Sequence, residues 1–529
     1  MNIVALNNRF LFILTAIIIS SCSNFEIAPS IIVEDSSASI AQISISSQSK
    51  ETSPNANEPL IKSFSILQRN NKNNLSTDIP CDIRKDSIIE CFARNTLNKL
   101  HLKASFEFIG DSVVLSKGRR INAGKDSIDF EKNVVLTVVS QKNKKNYHVI
   151  LYPYTGLPFI FIETLDGKDV VSEVASKDAY ARIVTVPTSP SLGESLKCSV
   201  IGHGNSTWSL PKKPYALKFE KKASLFSFPP DKSWLLIANH YDTTMVRNFI
   251  ANYISGLSNI LYTPRNQFVE LYFNGKHKGT YQLFEKIKVS KYRVDIANDD
   301  FLLEVDNHPR EKDVYLSINH IPNQVKIHSP DVIKDDSNYI YIDQILKKID
   351  NVLFSENFLD EKNGYRHYID IDALVEWYVV TEITKNASNR ANWYMTYERN
   401  GKLKMGPFWD YDLAFGNTLW GLEANEIPEF WTNSLPWFER FLKDTVFVQR
   451  AVKRFEYFYS KKEVILKKID EMATFLNPSV VYNNKLWNVF DCKTCSEEEV
   501  LKLYKAHVLK MKEWIDARFE WLKLNLVKK

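Results

Sequence analysis

The chain has 529 residues and carries 68 Lys and Arg against 63 Asp and Glu, a net charge of +5. That near balance leaves no cationic excess to neutralise a row of phosphates and excludes a dedicated nucleic-acid binder. Hydrophobic residues at 44% and aromatic residues at 12% can build sizeable cores, which excludes a largely disordered chain; 16 glycines exclude glycine-rich repeats. At roughly 100–200 residues per domain the length calls for two or three folded units.

At the N-terminus, Asn8 and Arg9 precede an apolar run from Phe10 to Ile19 and then Ser20, Ser21 and Cys22. A positive start, a short apolar core and small residues form a secretory signal over residues 1–22. The core is too short to span a bilayer comfortably. Ile19-Ser20-Ser21-Cys22 resembles a bacterial lipobox, which implies cleavage before Cys22 and a lipid on that cysteine. The expected location is the cell envelope, with the protein lipid-anchored to the outer membrane and facing the periplasm or the surface. The competing reading is an ordinary signal peptide with an incidental cysteine. Residues 23–59, rich in Ser, Ile and Asn, read as a flexible tether. In an exported protein Cys81 and Cys91 can close a hairpin-sized disulfide, and Cys492 and Cys495 a very small loop. A lone CxxC lacks the four ligands of a structural zinc site.

Residues 60–153 alternate apolar and polar residues in short runs such as Ala104-Ser105-Phe106-Glu107-Phe108 and Asn133-Val134-Val135-Leu136-Thr137-Val138-Val139. This pattern predicts an all-β sandwich. It resembles the immunoglobulin-like modules that precede larger domains in exported Bacteroidetes proteins, and we read it as a spacer. Residues 154–529 form the second region. Strand-type pattern runs to about Phe219, helical periodicity covers Thr243 to Leu257, and Asn274-Gly275 marks a hairpin between two further strands. Beyond Tyr339 the pattern is mainly helical. A β-rich lobe followed by a helical lobe is an α+β arrangement.

Three segments carry residues suited to chemistry. In Gly202-His203-Gly204-Asn205-Ser206-Thr207-Trp208 two glycines allow backbone amides to approach a phosphate, and Ser206 and Thr207 add hydroxyl donors, with Asn205 and Ser206 taken as cofactor-binding candidates. A simple hairpin is the competing reading. Lys218, on the strand that follows, is placed to pair with phosphates. In Tyr281-Gln282-Leu283-Phe284-Glu285-Lys286-Ile287 alternation puts Glu285 on the face of Leu283 and Tyr281, which implies burial beside a cation. Lys218 or Arg247 is the candidate partner, and a solvated Glu285 beside Lys286 is the competing reading. In Gly406-Pro407-Phe408-Trp409-Asp410-Tyr411-Asp412 two carboxylates at i and i+2 form a magnesium-type pair, with Asn392 upstream as a second ligand. Turn capping is the alternative role for Asp410 and Asp412.

In this order the segments GNSTW with PKKPYALKF, Trp234 to Asn239 with Asp242 and Arg247-Asn248, YQLFEKI with Arg293, and GPFWDYDLAFGN resemble the CotH kinase family, named after spore-coat protein H. The resemblance implies an atypical protein-kinase-like domain over residues 154–529, with ATP and Mg²⁺ as cofactors and phosphoryl transfer to serine or threonine of an exported or surface protein. It implies nucleotide contact for Lys218, with Lys213 as an alternative. Glu285 would be the lysine's ion-pair partner, Asp410 a metal ligand, Asn392 and Asp412 further ligands, and Trp409 a wall of the site. The chain departs from the family where relatives carry an Asp: Lys385-Asn386-Ala387-Ser388-Asn389-Arg390-Ala391-Asn392 contains no carboxylate. A kinase uses that Asp to position and deprotonate its acceptor. Relatives also commonly carry Arg where this chain has His203. A catalytically impaired pseudokinase that binds a partner or ligand is therefore the second expectation, with Trp420, Trp431 and Trp437 as a stacking platform or, in the competing reading, as core residues. A structural surface lipoprotein with a silent cleft is the third.

Overall fold

A computed structural model describes residues 58–529, apart from positions 85, 95–98, 100, 116–117, 132–133, 186–193, 419–421 and 527–529. The expected leader, Cys22, the tether up to residue 57 and Trp420 lie outside the described residues. The architecture is mixed α+β. Strands dominate the first two thirds and helices the rest.

The N-terminal strands are β1 (Leu60–Ser65), β2 (Cys81–Ile83), β3 (Ile88–Arg94), β4 (Leu102–Lys103), β5 (Ser105–Ile109), β6 (Ser112–Leu115), β7 (Arg120–Ile121), β8 (Ser127–Ile128), β9 (Val134–Val139) and β10 (Lys144–Tyr154). They form a six-stranded sheet in the order β2-β3-β10-β9-β6-β7 and two small sheets, β1-β5 and β4-β8. In β9 the burial alternates strictly, sending Val134, Leu136 and Val138 inward to join Ile89, Val113 and Tyr147. Period-two patterning thus buries one face. Cys81 and Cys91 stand opposite each other in the β2–β3 register and are disulfide-bonded; Cys492 and Cys495 form the second bridge.

The next seven strands are β11 (Phe159–Thr164), β12 (Lys177–Val184), β13 (Leu196–Gly202), β14 (Tyr215–Ala223), β15 (Asp231–Ile237), β16 (Asn266–Phe273) and β17 (Lys276–Glu285). They close into a barrel, β11-β12-β13-β14-β15-β17-β16, sealed by the parallel pairing of β11 with β16. Alternate residues fill its interior, among them Ile160, Ala181, Val200, Leu217, Trp234, Leu271 and Leu283. Phe273 and Lys276 pair across the Asn274-Gly275 turn, where both residues hold positive φ, as the sequence predicts.

Between β15 and β16 lies α1 (Arg247–Gly256), shorter than the periodicity predicts because Asn239 and Met245 adopt left-handed backbone before it. A second sheet follows, made of β18 (Phe301–Asp306), β19 (Tyr315–Leu316), β20 (Gln324–Ser329), β21 (Trp393–Tyr397) and β22 (Leu403–Met405) in the order β19-β20-β18-β21-β22. One face of this sheet, with Leu303, Val305, Val325, Ile327 and Met395, belongs to the largest core. That core is completed by α2 (Ser337–Leu353), α3 (Ile371–Thr384), α4 (Pro436–Phe441), α5 (Thr445–Ser460), α6 (Lys462–Trp487) and α7 (Glu497–Leu526). Asp336 and Asp370 cap α2 and α3 by accepting backbone N–H bonds. From Leu374 to Thr384 every residue of α3 is buried, which makes it the central helix. Among the described residues no helix is long and apolar enough to cross a membrane.

Candidate functional site

Strand register decides which side chains face the space between the barrel and the second sheet. Since Leu303 and Val305 point into the helical core, Glu304 and Asp306 point the other way. Glu304 stands opposite Lys326 on one side and Tyr394 on the other, and Asp306 stands opposite Gln324. His328 Nε2 lies 2.6 Å from Glu304 Oε2, and Tyr315 donates its hydroxyl to Asp306 at 3.0 Å. This polar face is the acidic floor of a cleft.

Asp410 joins the floor from the loop after β22. Its φ of 65° is left-handed, unusual for any residue but glycine and worth noting at a site. The side chain meets solvent, yet protein surrounds it closely enough to curtail hydration. That loss, with the negative charge of Glu304 next, raises its carboxyl to about 6, against a smaller opposing pull from His308. Trp409 beside it packs edge-on against Phe284 of β17 with centroids 5.5 Å apart and lines a small recess with Asn248, Asn252 and Tyr411. Asp412 is buried behind Asp410, and its carboxyl is pushed well above the usual range by burial first and then by Asp410 and Asp242.

Three contacts hold this loop. Asn248 Oδ1 accepts the Tyr411 N–H at 2.8 Å. Arg247 is ion-paired with Asp242 and donates from Nε to the Ala414 carbonyl at 3.0 Å. Asn386 Nδ2 donates to the Asp410 carbonyl at 2.7 Å. Asn386, not singled out from the sequence, therefore ties the carboxylate-free loop to Asp410. The asparagine that was singled out, Asn392, immediately precedes β21 and by register continues the polar face opposite Asp306. Its N–H is bound to the Ser388 carbonyl at 2.9 Å.

The barrel supplies the opposite wall, which is basic. Lys218 is exposed on the outer face of β14. The Lys286 ammonium, reached by solvent but hemmed in by protein, is pushed below the ordinary lysine range by lost hydration first, then by Lys326, Lys288, Lys218 and Lys312. Two of these have acidic partners, Lys326 with Asp313 at 2.6 Å and Lys288 with Asp231 at 3.5 Å. Lys218, Lys286 and Lys312 take part in no ion pair among the described residues. Lys286 lies inside a segment the sequence singles out, and its position one residue past Glu285, on the other face of the strand, is the signal that could have found it.

Glu285 itself is not in the cleft. It is fully buried at the barrel's end, bound by Arg265 Nη2 at 2.9 Å, the Arg265 N–H at 3.0 Å and the Tyr262 hydroxyl at 2.7 Å, with Arg293 at 3.9 Å. The expectation of burial against a cation holds; the expected partners do not. Lys218 points away from the barrel interior, and Arg247 is committed to Asp242. Lys213 is occupied as well, donating to the Trp208 carbonyl at 2.5 Å.

The glycine segment also differs from its reading as a phosphate cradle. A Cβ on Gly202 would stand 2.7 Å from the Trp208 ring, and one on Gly204, where φ is +94°, would stand 2.2 Å from Thr207 Oγ1. Packing of Trp208 and a tight turn account for both glycines. Ser206 is exposed, while Asn205 Oδ1 accepts a bond from Arg310 Nη2 at 3.0 Å. His203 is driven down to about 4 by burial first, then by Lys286 and Arg310, so it is neutral near pH 7. Trp431 and Trp437 are core residues rather than a platform. Trp431 Nε1 donates to the Asn386 carbonyl at 2.7 Å, and its backbone N–H to Glu382, which is paired with Arg518 at 3.0 Å.

The family model of the CotH kinase protein matches residues 200–522, more than half of the 529. The chain belongs to the CotH kinase family. The matched span includes the glycine segment, β14 with Lys218, the second sheet and the Asp410 loop. No curated protein is matched by the sequence. Among solved structures, one from Bacteroides thetaiotaomicron described as a candidate glycoside hydrolase aligns over 56% of this chain and 88% of its own, at 15% identity and a TM-score of 0.19. At that score it carries no argument about fold or activity.

A magnesium–nucleotide complex needs cationic groups for its phosphates and hard oxygen ligands for its metal, with phosphate and water completing the coordination. Lys218, Lys286 and Lys312 fit the first need, and the solvent-reached carboxyl of Asp410 fits the second. Among the described residues no cluster of three or more His, Cys, Asp and Glu side chains is arranged to hold a metal by itself.

Proposed function

We propose that the cleft transfers a phosphoryl group from Mg²⁺–ATP to a serine or threonine of an exported or surface protein, in a kinase-like domain of two lobes. The observation that carries this reading is the CotH family match together with a basic wall facing an acidic floor. Lys218, Lys286 and Lys312 would bind the phosphates. Asp410 and Asn392 would hold the metal. The bound Mg²⁺ would neutralise phosphate charge. Trp409 would screen the floor from water, and the bonds from Asn248 and Asn386 would keep the Asp410 loop in place. The N-terminal strands would be an immunoglobulin-like module at residues 60–153. The leader and Cys22 would place the chain on the outer membrane as a lipoprotein.

A second reading, a pseudokinase that binds without transferring, is favoured by one observation. The loop from Lys385 to Asn392 has no carboxylate to serve as base, and Lys385 donates to the Glu426 and Pro428 carbonyls at 2.8 Å. Calorimetric titration of Mg²⁺ and ATP into the full-length chain in detergent separates the outcomes. Magnesium-dependent binding that falls at least about tenfold in Asp410→Ala is expected. No binding to the wild-type protein would sink the nucleotide reading. Binding without phosphate release or transfer would select the pseudokinase.

A further inference from the structure

Among the described residues the second sheet ends at β19, which pairs with β20 alone. Beside it lies a groove of about 740 Å³ whose lining includes Asp313, Val314, Tyr315 and Ser317 around β19 and Tyr339, Asp343 and Lys347 of α2. A smaller recess of about 310 Å³ shares Pro309, Ser317 and Gln324 with it and includes Asp306. Tyr315 of the groove donates to Asp306 of the polar sheet face at 3.0 Å, so groove and sheet face share a hydrogen-bonded border.

The charges of the groove do not cancel. Asp313 is matched by Lys326 at 2.6 Å and Asp343 by Lys347 at 2.7 Å. That leaves Arg310, Lys312 and Lys334 against Glu311, all four outside any ion pair among the described residues. Arg310 and Lys312 also border the basic wall, through Asn205 and Lys286 respectively. A free strand edge recognises an extended backbone by main-chain hydrogen bonding, and flanking cations select acidic side chains.

We propose that this groove docks an extended, acidic segment of the acceptor protein, which adds to β19 as a strand and leads its hydroxyl residue towards Asp410. The proposal rests on the phosphoryl-transfer reading for the fate of that hydroxyl, but docking can be measured without nucleotide. The probe is a fluorescent peptide of about ten residues in which Glu alternates with Val around one Ser, titrated by anisotropy into the full-length chain in detergent. Its counterparts carry Lys for Glu, or Pro for Val so that no strand can pair. The Glu peptide is expected to bind and to lose about tenfold in affinity when Arg310→Glu and Lys334→Glu are combined. Lys505→Glu, an exposed change on α7, should leave it unaltered. The Pro peptide should not bind, a result independent of any protein variant's folding.

Equal or tighter binding of the Lys peptide, unchanged affinity in the double variant, or binding of the Pro peptide would each overturn the proposal. Failure of the wild-type protein to bind Mg²⁺–ATP would instead remove the phosphoryl-transfer reading and leave the docking result standing.

Discussion

Asp410 unites a left-handed backbone, a solvent-reached carboxyl and a raised affinity for its proton. Such a backbone costs a non-glycine residue about 1 kcal/mol, and here it is held by bonds to both flanks, from Asn386 and Asn248. Below about pH 6 the carboxyl is neutral and a poor magnesium ligand. Magnesium-dependent nucleotide binding should therefore rise with pH through about 6, falling roughly tenfold per pH unit below it. The stability of the ligand-free chain should move the opposite way. Because the folded carboxyl holds its proton above the ordinary 3.8, its contribution is full below that value and is lost as pH rises through about 6. Melting temperatures of wild type and Asp410→Asn between about pH 4 and pH 7 check this, since the variant should lose that part of the slope. A wild-type profile matching the variant's would show that the carboxyl does not titrate there. At this scale the sequence is most informative where chemistry is local. Asp410 and Trp409 are legible as a motif, while Asn386 gains its meaning from distant Asp410, and Lys286 largely from distant Lys326, Lys218 and Lys312.

Elements give the glycine segment its role. Gly202 closes β13, where an added methyl would meet the Trp208 ring at 2.7 Å and the Ser172 carbonyl at 2.8 Å. Gly202→Ala should cost about 1–3 kcal/mol through overpacking. Gly275→Ala, at φ +70° with nothing within 4 Å, should cost only the backbone strain of about 1 kcal/mol. Urea midpoints of the two variants compare them directly. A Gly202→Ala chain of undiminished stability that has lost nucleotide binding would restore the phosphate-cradle reading. The Asn274-Gly275 hairpin was legible because its two strands are adjacent and its turn needs positive φ. Closure of the barrel was not, because β11 meets β16 by pairing Phe159 with Glu270, and no local pattern encodes a contact across that separation. For the same reason Glu285 was recognisable as a buried carboxylate while its cations were misassigned to Lys218 and Arg247 instead of Arg265 and Arg293.

On the scale of the whole molecule, the N-terminal strands are joined to the barrel by more than a linker. Phe92 and Tyr152 pack with Phe159, Phe161 and Tyr272 of the barrel in one aromatic cluster. At its edge Arg182 of β12 pairs with Glu90 of β3 at 2.8 Å and stacks over Phe161 at 4.3 Å, while Tyr152 donates to Glu90 at 3.2 Å. Glu90 is fully buried and is shared with Arg84 at 3.3 Å, so removing Arg182 leaves it with one cation of two. Arg182→Ala should cost about 1.5–3 kcal/mol, the worth of one bond to a charged group, and split denaturant unfolding into two transitions followed separately by tryptophan fluorescence and circular dichroism. A single unshifted transition would return these strands to the role of a passive spacer. What the sequence by itself determined is whatever depends on neighbours along the chain: the mixed α+β class, the alternating N-terminal strands, the hairpin turn, and the family motifs with Asp410 and Lys218. Tertiary structure alone decided which cations meet Glu285, that the β-rich part closes as a barrel, that the glycines serve Trp208, and that an acidic sheet face looks across at unpaired lysines. Those outcomes depend on strand register and on charges brought together from distant segments, where the free energy of burying or pairing a group is set by neighbours that local patterning cannot name.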